Sequence, residues 1–210
     1  MLKRILFSLT LIGIICVPLC LIILPAQADT PHGLSAKYYP LSDINKVLIS
    51  RIDPQIAWTY SSPLQPNNAI AETFNWVASK NDCTPYGATW TGYLEIPETG
   101  TYTFGGKTDD YAGAQILING QWVQIAYWHS SWMIYSNKSK DHSGGTDPYD
   151  PLTIKLDEGF YQINASMQEI DGIGGGGFDF VWKRPGQTQW EIVPQQYLCP
   201  DASCIPSTPI

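Results

Sequence analysis

The sequence predicts an all-β fold, either an antiparallel sandwich or a barrel, after an N-terminal export segment. Helical periodicity is nearly absent beyond that segment, and apolar residues alternate with polar residues in short runs. Gly, Pro, Asn and Asp separate the runs. Many short strands with turn residues between them are typical of an antiparallel sandwich or barrel.

The alternating runs define individual strands. Residues 90–96 alternate and are followed by Pro97, and the turn Glu98-Thr99-Gly100 leads into a partner strand, so a hairpin is expected. Asn119-Gly120 predicts a second hairpin because both residues tolerate a positive φ. Together the runs predict strands at residues 90–96, 101–105, 113–119, 121–127, 152–156, 160–167, 178–182 and 190–193.

Two long connections interrupt the strands, at about residues 61–86 and 129–151. Long connections in a compact β-domain tend to be functional or mobile. Residues 199–210 are predicted to form a short disordered tail, since chain termini are often poorly ordered.

The N-terminus has the layout of a secretory signal peptide. The basic pair Lys3-Arg4 precedes an apolar run over residues 5–24, and Pro25-Ala26-Gln27-Ala28 resembles a cleavage site. We therefore expect residues 1–28 to be removed and residues 29–198 to form one secreted or surface-displayed domain. Because the apolar run is long for a signal peptide, an uncleaved membrane anchor is the alternative.

The charge of the mature chain restricts its partners. Removal of Lys3 and Arg4 leaves 10 basic residues against 19 acidic ones, so the formal net charge changes from -7 to -9. Such a surface repels nucleic acid and anionic membranes, and it suits cations and neutral polar ligands. The eight Trp and twelve Tyr suit sugar stacking, but they equally suit a sandwich core.

The mature chain keeps three cysteines, Cys83, Cys199 and Cys204. Export makes disulfide bonds plausible, but three cysteines cannot all pair within one chain. A bond from Cys83 to either partner would tie the C-terminus to the domain body, whereas Cys199 with Cys204 would close a small loop. The remaining thiol is then available for an intermolecular link.

Three sequence pieces occur in an order that resembles the protective-antigen fourteen-kilodalton domain family. They are Trp90–Pro97 with Thr99–Phe104, Thr108-Asp109-Asp110 with Ile116–Gly120, and Leu156–Tyr161 with Phe180-Val181-Trp182. The family includes the yeast flocculin lectin domains and ligand-binding modules of bacterial adhesins. The resemblance covers roughly residues 33–182 and implies a two-sheet antiparallel β-sandwich.

The resemblance also implies that Asp109 and Asp110 hold Ca²⁺, and that a sugar completes the coordination shell of the ion. The residues themselves are compatible with this role, because a hard divalent cation prefers several oxygen ligands. Two adjacent carboxylates on a rigid turn between strands would repel each other without a cation. The alternative is an acidic turn that caps the end of a strand.

Residues 168–177 are expected to supply the remaining metal ligands. The resemblance places Asp171 as a side-chain ligand, and Glu169 is a second candidate. The glycines of this segment permit close backbone approach, so the carbonyls of Gly172 and Gly174 are further candidates. The alternative is a flexible glycine loop between two strands.

Aromatic residues near the second long connection are candidates for sugar recognition. Aromatic faces stack on the apolar faces of sugar rings. The predicted ligand-binding residues are Tyr111, Trp128, His129, Trp132 and Tyr135. The alternative, which the alternation of side chains favours for some of the aromatic residues in this stretch, is that they belong to the core.

The predicted function is calcium-dependent carbohydrate binding in cell-surface adhesion or glycan recognition. The alternative is a structural or protein-interaction module of a surface assembly or filament that binds no sugar. An enzyme is not expected, because none of His32, His129 and His142 lies in a recognisable nucleophile elbow, zinc helix or phosphate loop.

Overall fold

The computed structural model describes residues 31–57, 73–74, 84–135, 152–172 and 177–206, with the backbone alone at Asp109, residues 128–135 and Leu152. The predicted export segment, Cys83 and Gly174 lie outside these ranges. Within them, no helix is long and apolar enough to cross a membrane.

Antiparallel strands make up most of the described chain. Two short 3-10 helices, Gln195–Tyr197 and Ala202–Cys204, lie near the C-terminus. The strands are β1 Leu34–Pro40, β2 Ile49–Asp53, β3 Tyr86–Ile96, β4 Gly100–Ile118, β5 Gln121–Tyr135, β6 Leu152–Leu156, β7 Gly159–Glu169, β8 Gly177–Lys183, β9 Glu191–Ile192 and β10 Leu198–Cys199.

The strands form two packed layers that share one continuous hydrogen-bonded ladder. One layer has the order β2-β1-β3-β7-β4-β5, and the other has the order β6-β4-β8-β9. β4 belongs to both layers, because residues 103–109 pair with β8 and residues 111–116 pair with β7. This arrangement confirms the predicted two-sheet antiparallel β-sandwich.

The core lies between the two layers and is rich in aromatic side chains. Trp90 of β3 meets Phe178 of β8 across the layers, with ring centroids 6.0 Å apart. Tyr102 and Phe104 share the buried face of β4, as the alternation predicts. On β7 the buried positions are every second residue, which is the two-residue period of a strand with one face in the core.

The Asn119-Gly120 hairpin is confirmed, and both residues have a positive φ, at 50° and 77°. Two other predictions are wrong. Asp109-Asp110 does not lie on a turn between strands, because the predicted strands at 101–105 and 113–119 are parts of the single strand β4. The connection predicted to begin at residue 129 does not, since β5 continues to Tyr135.

The C-terminal segment assigned by sequence to a disordered tail carries structure up to Pro206. Leu198 and Cys199 are buried and pair with Leu94 and Tyr93 of β3, and a disulfide joins Cys199 to Cys204. The Asp201 carboxylate accepts a hydrogen bond of 2.8 Å from the Ser203 N–H. Strand pairing, a disulfide and a cap therefore hold this segment against the edge of β3.

The short strand β2 was not predicted, and it carries a buried polar network at its end. The Asp53 carboxylate accepts hydrogen bonds from Arg51, from the Tyr38 hydroxyl and from the Trp90 indole, the last at 2.7 Å. Burial, reinforced by the neighbouring Asp53 carboxylate, raises the pKa of Tyr38 well above its ordinary value. The Tyr38 phenol therefore remains a neutral donor that ties β1 to the end of β2.

We predict that Tyr38→Phe lowers the free energy of unfolding by about 1–3 kcal/mol, because the buried Asp53 carboxylate loses a donor. Urea denaturation followed by fluorescence measures the change. Tyr93→Phe is the matched control, since among the described residues the Tyr93 hydroxyl accepts one hydrogen bond, of 3.3 Å, from the side-chain amide of the exposed Gln162. Equal stability of the two variants would show that the Asp53 network does not contribute to folding.

Candidate metal and ligand site

The candidate site lies where β4 passes from one layer of the sandwich to the other. Asp109 pairs with Gly177 at the start of β8, and Tyr111 pairs with Gln168 near the end of β7. Asp110 lies between these two pairs, at the point where β4 passes from one layer to the other, which we call the seam. Its side chain is only 7% exposed. The topology thus places a carboxylate where strand pairing changes partner.

The connection from β7 to β8 begins at the same seam. After Glu169, the N–H of Ile170 donates a hydrogen bond of 2.9 Å to Oδ2 of Asp110. The N–H of Gly172 donates a bond of 2.9 Å to Oε1 of Glu169. Gly172 has a φ of 74°, a conformation that glycine adopts without strain. Backbone donors therefore fix the orientation of two carboxylates.

Asp110, Glu169 and Asp171 form an acidic cluster. Each offers one carboxylate oxygen, and these oxygens all lie within 4.8 Å of one another. Asp110 and Glu169 are buried, whereas Asp171 is exposed, so the acidic cluster is open to solvent on the Asp171 side. Three carboxylates at this separation repel one another unless a cation or a shared proton lies between them.

The acidic cluster can hold a metal ion. Its donors are all oxygens, which hard divalent cations prefer. Oxygens on opposite sides of an ion bound at about 2.3–2.6 Å lie about 5 Å apart, which is compatible with the spacing found here. Each carboxylate carries two oxygens and can bind such an ion through one or both of them.

The local sequence explains why these carboxylates converge. Glu169 follows Ile163, Ala165 and Met167 on the inward face of β7, so alternation carries its side chain into the interior. On β4, the buried Thr108 hydroxyl donates a hydrogen bond of 2.8 Å to the Gly177 carbonyl. This bond fixes the start of β8 beside β4, one residue from the Asp109-Asp110 pair.

The structure thus brings together three of the predicted metal-ligating residues, Asp110, Glu169 and Asp171. Asp109 adjoins them in β4, where only its backbone is described. Gly172 directly follows Asp171 and is buried, and Gly174 lies outside the described residues.

The predicted ligand-binding residues lie on two neighbouring strands. Tyr111 is half-buried on β4, next to Asp110. The other four belong to β5 rather than to a loop, and their side chains are not described: Trp128, His129, Trp132 and Tyr135.

Sequence reasoning missed a second feature, a cleft of about 430 Å³ on the outer face of the layer that contains β4, β5 and β7. It begins at Tyr111 and Gln168 and is lined further on by Tyr127, Gln124 and Asn164. The available signal was the absence of charged residues from 111 to 127 and from 159 to 168. We call this feature the outer cleft.

Comparison with known proteins identifies a domain family and a curated relative that are similar to this chain. The family model of the PA14 domain matches residues 50–196. The anti-sigma-I factor RsgI3 of Acetivibrio thermocellus is 25% identical over 183 residues, which cover 84% of this chain and 23% of that protein. The chain therefore spans about a quarter of the length of this curated relative.

Two solved structures illustrate the likeness. An anti-sigma factor domain-containing protein has a TM-score of 0.55 at 21% identity, covering 84% of this chain and 50% of its own. The epithelial adhesin 6 A domain of Candida glabrata, solved in complex with Galb1-3GlcNAc, has a TM-score of 0.53 at 17% identity. That match covers 89% of this chain and 96% of the adhesin domain. At these identities the structures show a shared fold.

We predict that a divalent cation raises the melting temperature of the protein and that Asp110→Asn removes this effect. An ion at about a hundred times its dissociation constant stabilises the folded state by about 2.7 kcal/mol. In a chain of this size, that corresponds to a rise of about 5–10 °C. Differential scanning fluorimetry with calcium chloride, magnesium chloride or EDTA measures the shift.

Asp157→Asn is the matched control, since Asp157 is an exposed carboxylate in the turn before β7. It should keep the full cation-induced rise. In EDTA, Asp110→Asn should melt at or above the wild-type temperature, because it removes one of three mutually repelling charges. A cation-induced rise that survives in Asp110→Asn would contradict the assignment.

Proposed function

The chain belongs to the PA14 domain family, and from this premise and the acidic cluster we propose that it is a calcium-dependent carbohydrate-binding module. The observation that carries the proposal is the convergence of the Asp110, Glu169 and Asp171 oxygens within 4.8 Å at the open seam of the sandwich. The Galb1-3GlcNAc complex of the adhesin domain, which shares this fold, supports a glycan as the ligand.

Calcium is the ion that we propose for the acidic cluster. It accepts six to eight oxygen ligands in a flexible geometry, whereas magnesium demands a near-ideal octahedron and retains several waters. The proposed ligands are the carboxylates of Asp109, Asp110, Glu169 and Asp171 with the carbonyls of Gly172 and Gly174. When bound, calcium supplies coordination positions for hydroxyl oxygens of a sugar.

The residues of this chain orient the proposed ligand set. Ile170 N–H holds the Asp110 carboxylate, and Gly172 N–H holds that of Glu169, so these two ligands need little rearrangement when an ion arrives. Asp171 is exposed and lies on the side from which a sugar would approach. Preorganised ligands reduce the entropy that binding would otherwise cost.

Specificity for the sugar is assigned in this proposal to aromatic residues beside the cluster. Tyr111 directly follows Asp110, and its neighbours on β5 are expected to add stacking surfaces. The residues proposed for this role are Tyr111, Trp128, His129, Trp132 and Tyr135.

The proposed module is non-catalytic and acts outside the cytoplasm. Residues 1–28 would direct export, either as a cleaved signal peptide or as an uncleaved anchor. The affinity of a single polar site is expected to be weak, because sugar hydroxyls exchange hydrogen bonds with water for similar bonds to protein. Several linked copies on one surface would raise the overall affinity.

A second candidate function is protein interaction within a larger surface assembly. It is favoured by the likeness to RsgI3, an anti-sigma-I factor of which this chain spans about a quarter. It is also favoured by exposed apolar side chains on β2 and the segment that precedes it, which can bury surface against a partner. These are Ile44, Val47, Leu48 and Ile52.

We predict that the protein binds at least one glycan on an array in calcium, and that EDTA abolishes this signal. In Asp110→Asn the calcium-dependent signal should fall at least about tenfold, which corresponds to about 1.4 kcal/mol lost at the ion. The array measures glycan binding of each variant, and titration calorimetry with the glycan that gives the strongest signal then measures its affinity.

Asp157→Asn again serves as the control, and it should retain the wild-type signal. An array with no calcium-dependent signal would contradict the proposal, and so would a calcium-dependent signal that Asp110→Asn leaves unchanged. Either result would favour protein interaction. That alternative predicts reduced partner binding when Val47 and Leu48 are replaced by Ser.

A further inference from the structure

The outer cleft has a floor of small residues between walls of larger polar side chains. Gly113 on β4 pairs with Ser166 on β7 and with Tyr127 on β5, so a glycine and a serine occupy adjacent strands. Two residues further along β4, Gln115 pairs with Asn164 of β7 on one side and with Gln124 of β5 on the other. The cleft of about 430 Å³ lies within the size range of ligand sites.

A β-bulge shapes the cleft. The pairing of β4 with β5 shifts register between Ala114 and Gln115, so that both Ile125 and Ala126 are buried. Gln124 and Tyr127 therefore both reach the outer face although two residues lie between them, a spacing that would place them on opposite faces of a regular strand. Bulges often re-aim a side chain next to a functional site. Here the bulge turns Tyr127, which is 39% exposed, towards the cleft.

The chemistry of the lining favours a neutral ligand rich in hydroxyl groups. Among the described residues, the lining includes the side-chain amides of Gln115, Gln124, Asn164 and Gln168, and none of its residues is charged. Each amide offers both donors and an acceptor, which suits hydroxyl groups that donate and accept. Within the described chain, the side chains of Gln115, Gln124 and Asn164 form no hydrogen bond, so this capacity is open to a ligand.

An exposed aromatic residue extends the same face. Trp122 lies on β5 two residues before Gln124 and is 48% exposed, although Trp is a residue that folding usually buries. Tyr127 lies on the other side of Gln124 along the strand. Rigid aromatic faces next to amide groups suit the alternating apolar and hydroxylated surfaces of sugar rings.

The outer cleft and the acidic cluster lie on opposite faces of the same strands. Side chains alternate along a strand, so Asp110 and Glu169 point inward whereas Tyr111 and Gln168 point outward. None of the residues that line the cleft belongs to the acidic cluster. A ligand in the cleft therefore needs no metal ion.

We propose that the outer cleft is a second carbohydrate-binding site, which takes a chain of a neutral polysaccharide without calcium. The amides of Gln115, Gln124 and Asn164 bind its hydroxyl groups, and Tyr127 stacks on a sugar ring. The cleft crosses three strands, so it accommodates a segment of a chain rather than a terminal sugar. Tyr111, at the edge of the cleft, is also among the sugar contacts proposed for the calcium site, but no residue of the cleft is a proposed calcium ligand.

Affinity electrophoresis of the protein in native gels tests the proposal. The gels contain EDTA and one soluble polysaccharide each, namely arabinoxylan, xyloglucan, galactomannan or mixed-linkage β-glucan, with polygalacturonate as the charged comparison. We expect retardation by at least one neutral polysaccharide. Gln124→Ala should weaken binding about fivefold and Tyr127→Ala about tenfold, as expected for a lost hydrogen bond and a lost stacking surface.

Matched variants distinguish binding in the cleft from binding elsewhere on the surface. Gln162→Ala removes an exposed amide from the same face of β7 but outside the cleft, and it should bind as wild type. Ser166→Tyr fills the floor and should abolish retardation, with near-UV circular dichroism confirming the fold of each variant. Asp110→Asn should be retarded normally in EDTA, which distinguishes failure of the calcium site from failure of the cleft.

The proposal is overturned if no neutral polysaccharide retards the protein in EDTA. It is also overturned if Gln124→Ala, Tyr127→Ala and Ser166→Tyr are all retarded as strongly as Gln162→Ala. Stronger retardation by polygalacturonate than by every neutral polysaccharide would equally contradict it, because no described residue of the cleft is charged and able to bind a polyanion.

Discussion

The passage of β4 between the two layers is the constraint on which the rest of the structure depends. A strand that pairs first with β8 and then with β7 must change partner at one point, and Asp110 lies there. The chain between β7 and β8 has to bridge the same two layers, so Glu169, Ile170 and Asp171 arrive at that point as well. The acidic cluster is thus a consequence of topology, and its carboxylates tolerate burial because backbone N–H groups and an ion can satisfy them.

The same two strands carry both proposed sites because successive side chains on a strand point to opposite faces of the sheet. Inward positions of β4 and β7 supply the core and then, at the seam, Asp110 and Glu169. Outward positions supply Gly113, Gln115 and Ser166 in the outer cleft. In the two proposals, a carbohydrate binds the domain either through an ion at the seam or through side-chain amides on the outer face of the sheet. The rigid sandwich holds both surfaces, which limits the entropy lost when a ligand binds.

The sequence alone was sufficient to predict the fold class, the Asn119-Gly120 hairpin and the family, and the PA14 match confirms the family. It was misleading where polarity changes inside a strand. Residues 105–110 contain two glycines and two aspartates, so they resemble a turn, yet strand pairing on both edges keeps them in β4. The hydrogen bond from the Trp90 indole to Asp53 spans 37 residues, and the bulge opposite Ala114 and Gln115 depends on the pairing of β4 with β5. Such long-range contacts leave no local pattern, so the Asp53 network could not be predicted, and the uncharged runs at 111–127 and 159–168 did not by themselves show that β4, β5 and β7 form a cleft.

The most direct test of a sugar-binding calcium ion at the seam is an anomalous difference map from crystals of the protein grown with calcium and the best glycan from the array. We expect a peak within about 2.3–2.6 Å of carboxylate oxygens of Asp110, Glu169 and Asp171, with sugar hydroxyl groups on the same ion. A glycan bound at the seam without an anomalous peak at the acidic cluster would contradict the calcium-dependent mode of binding.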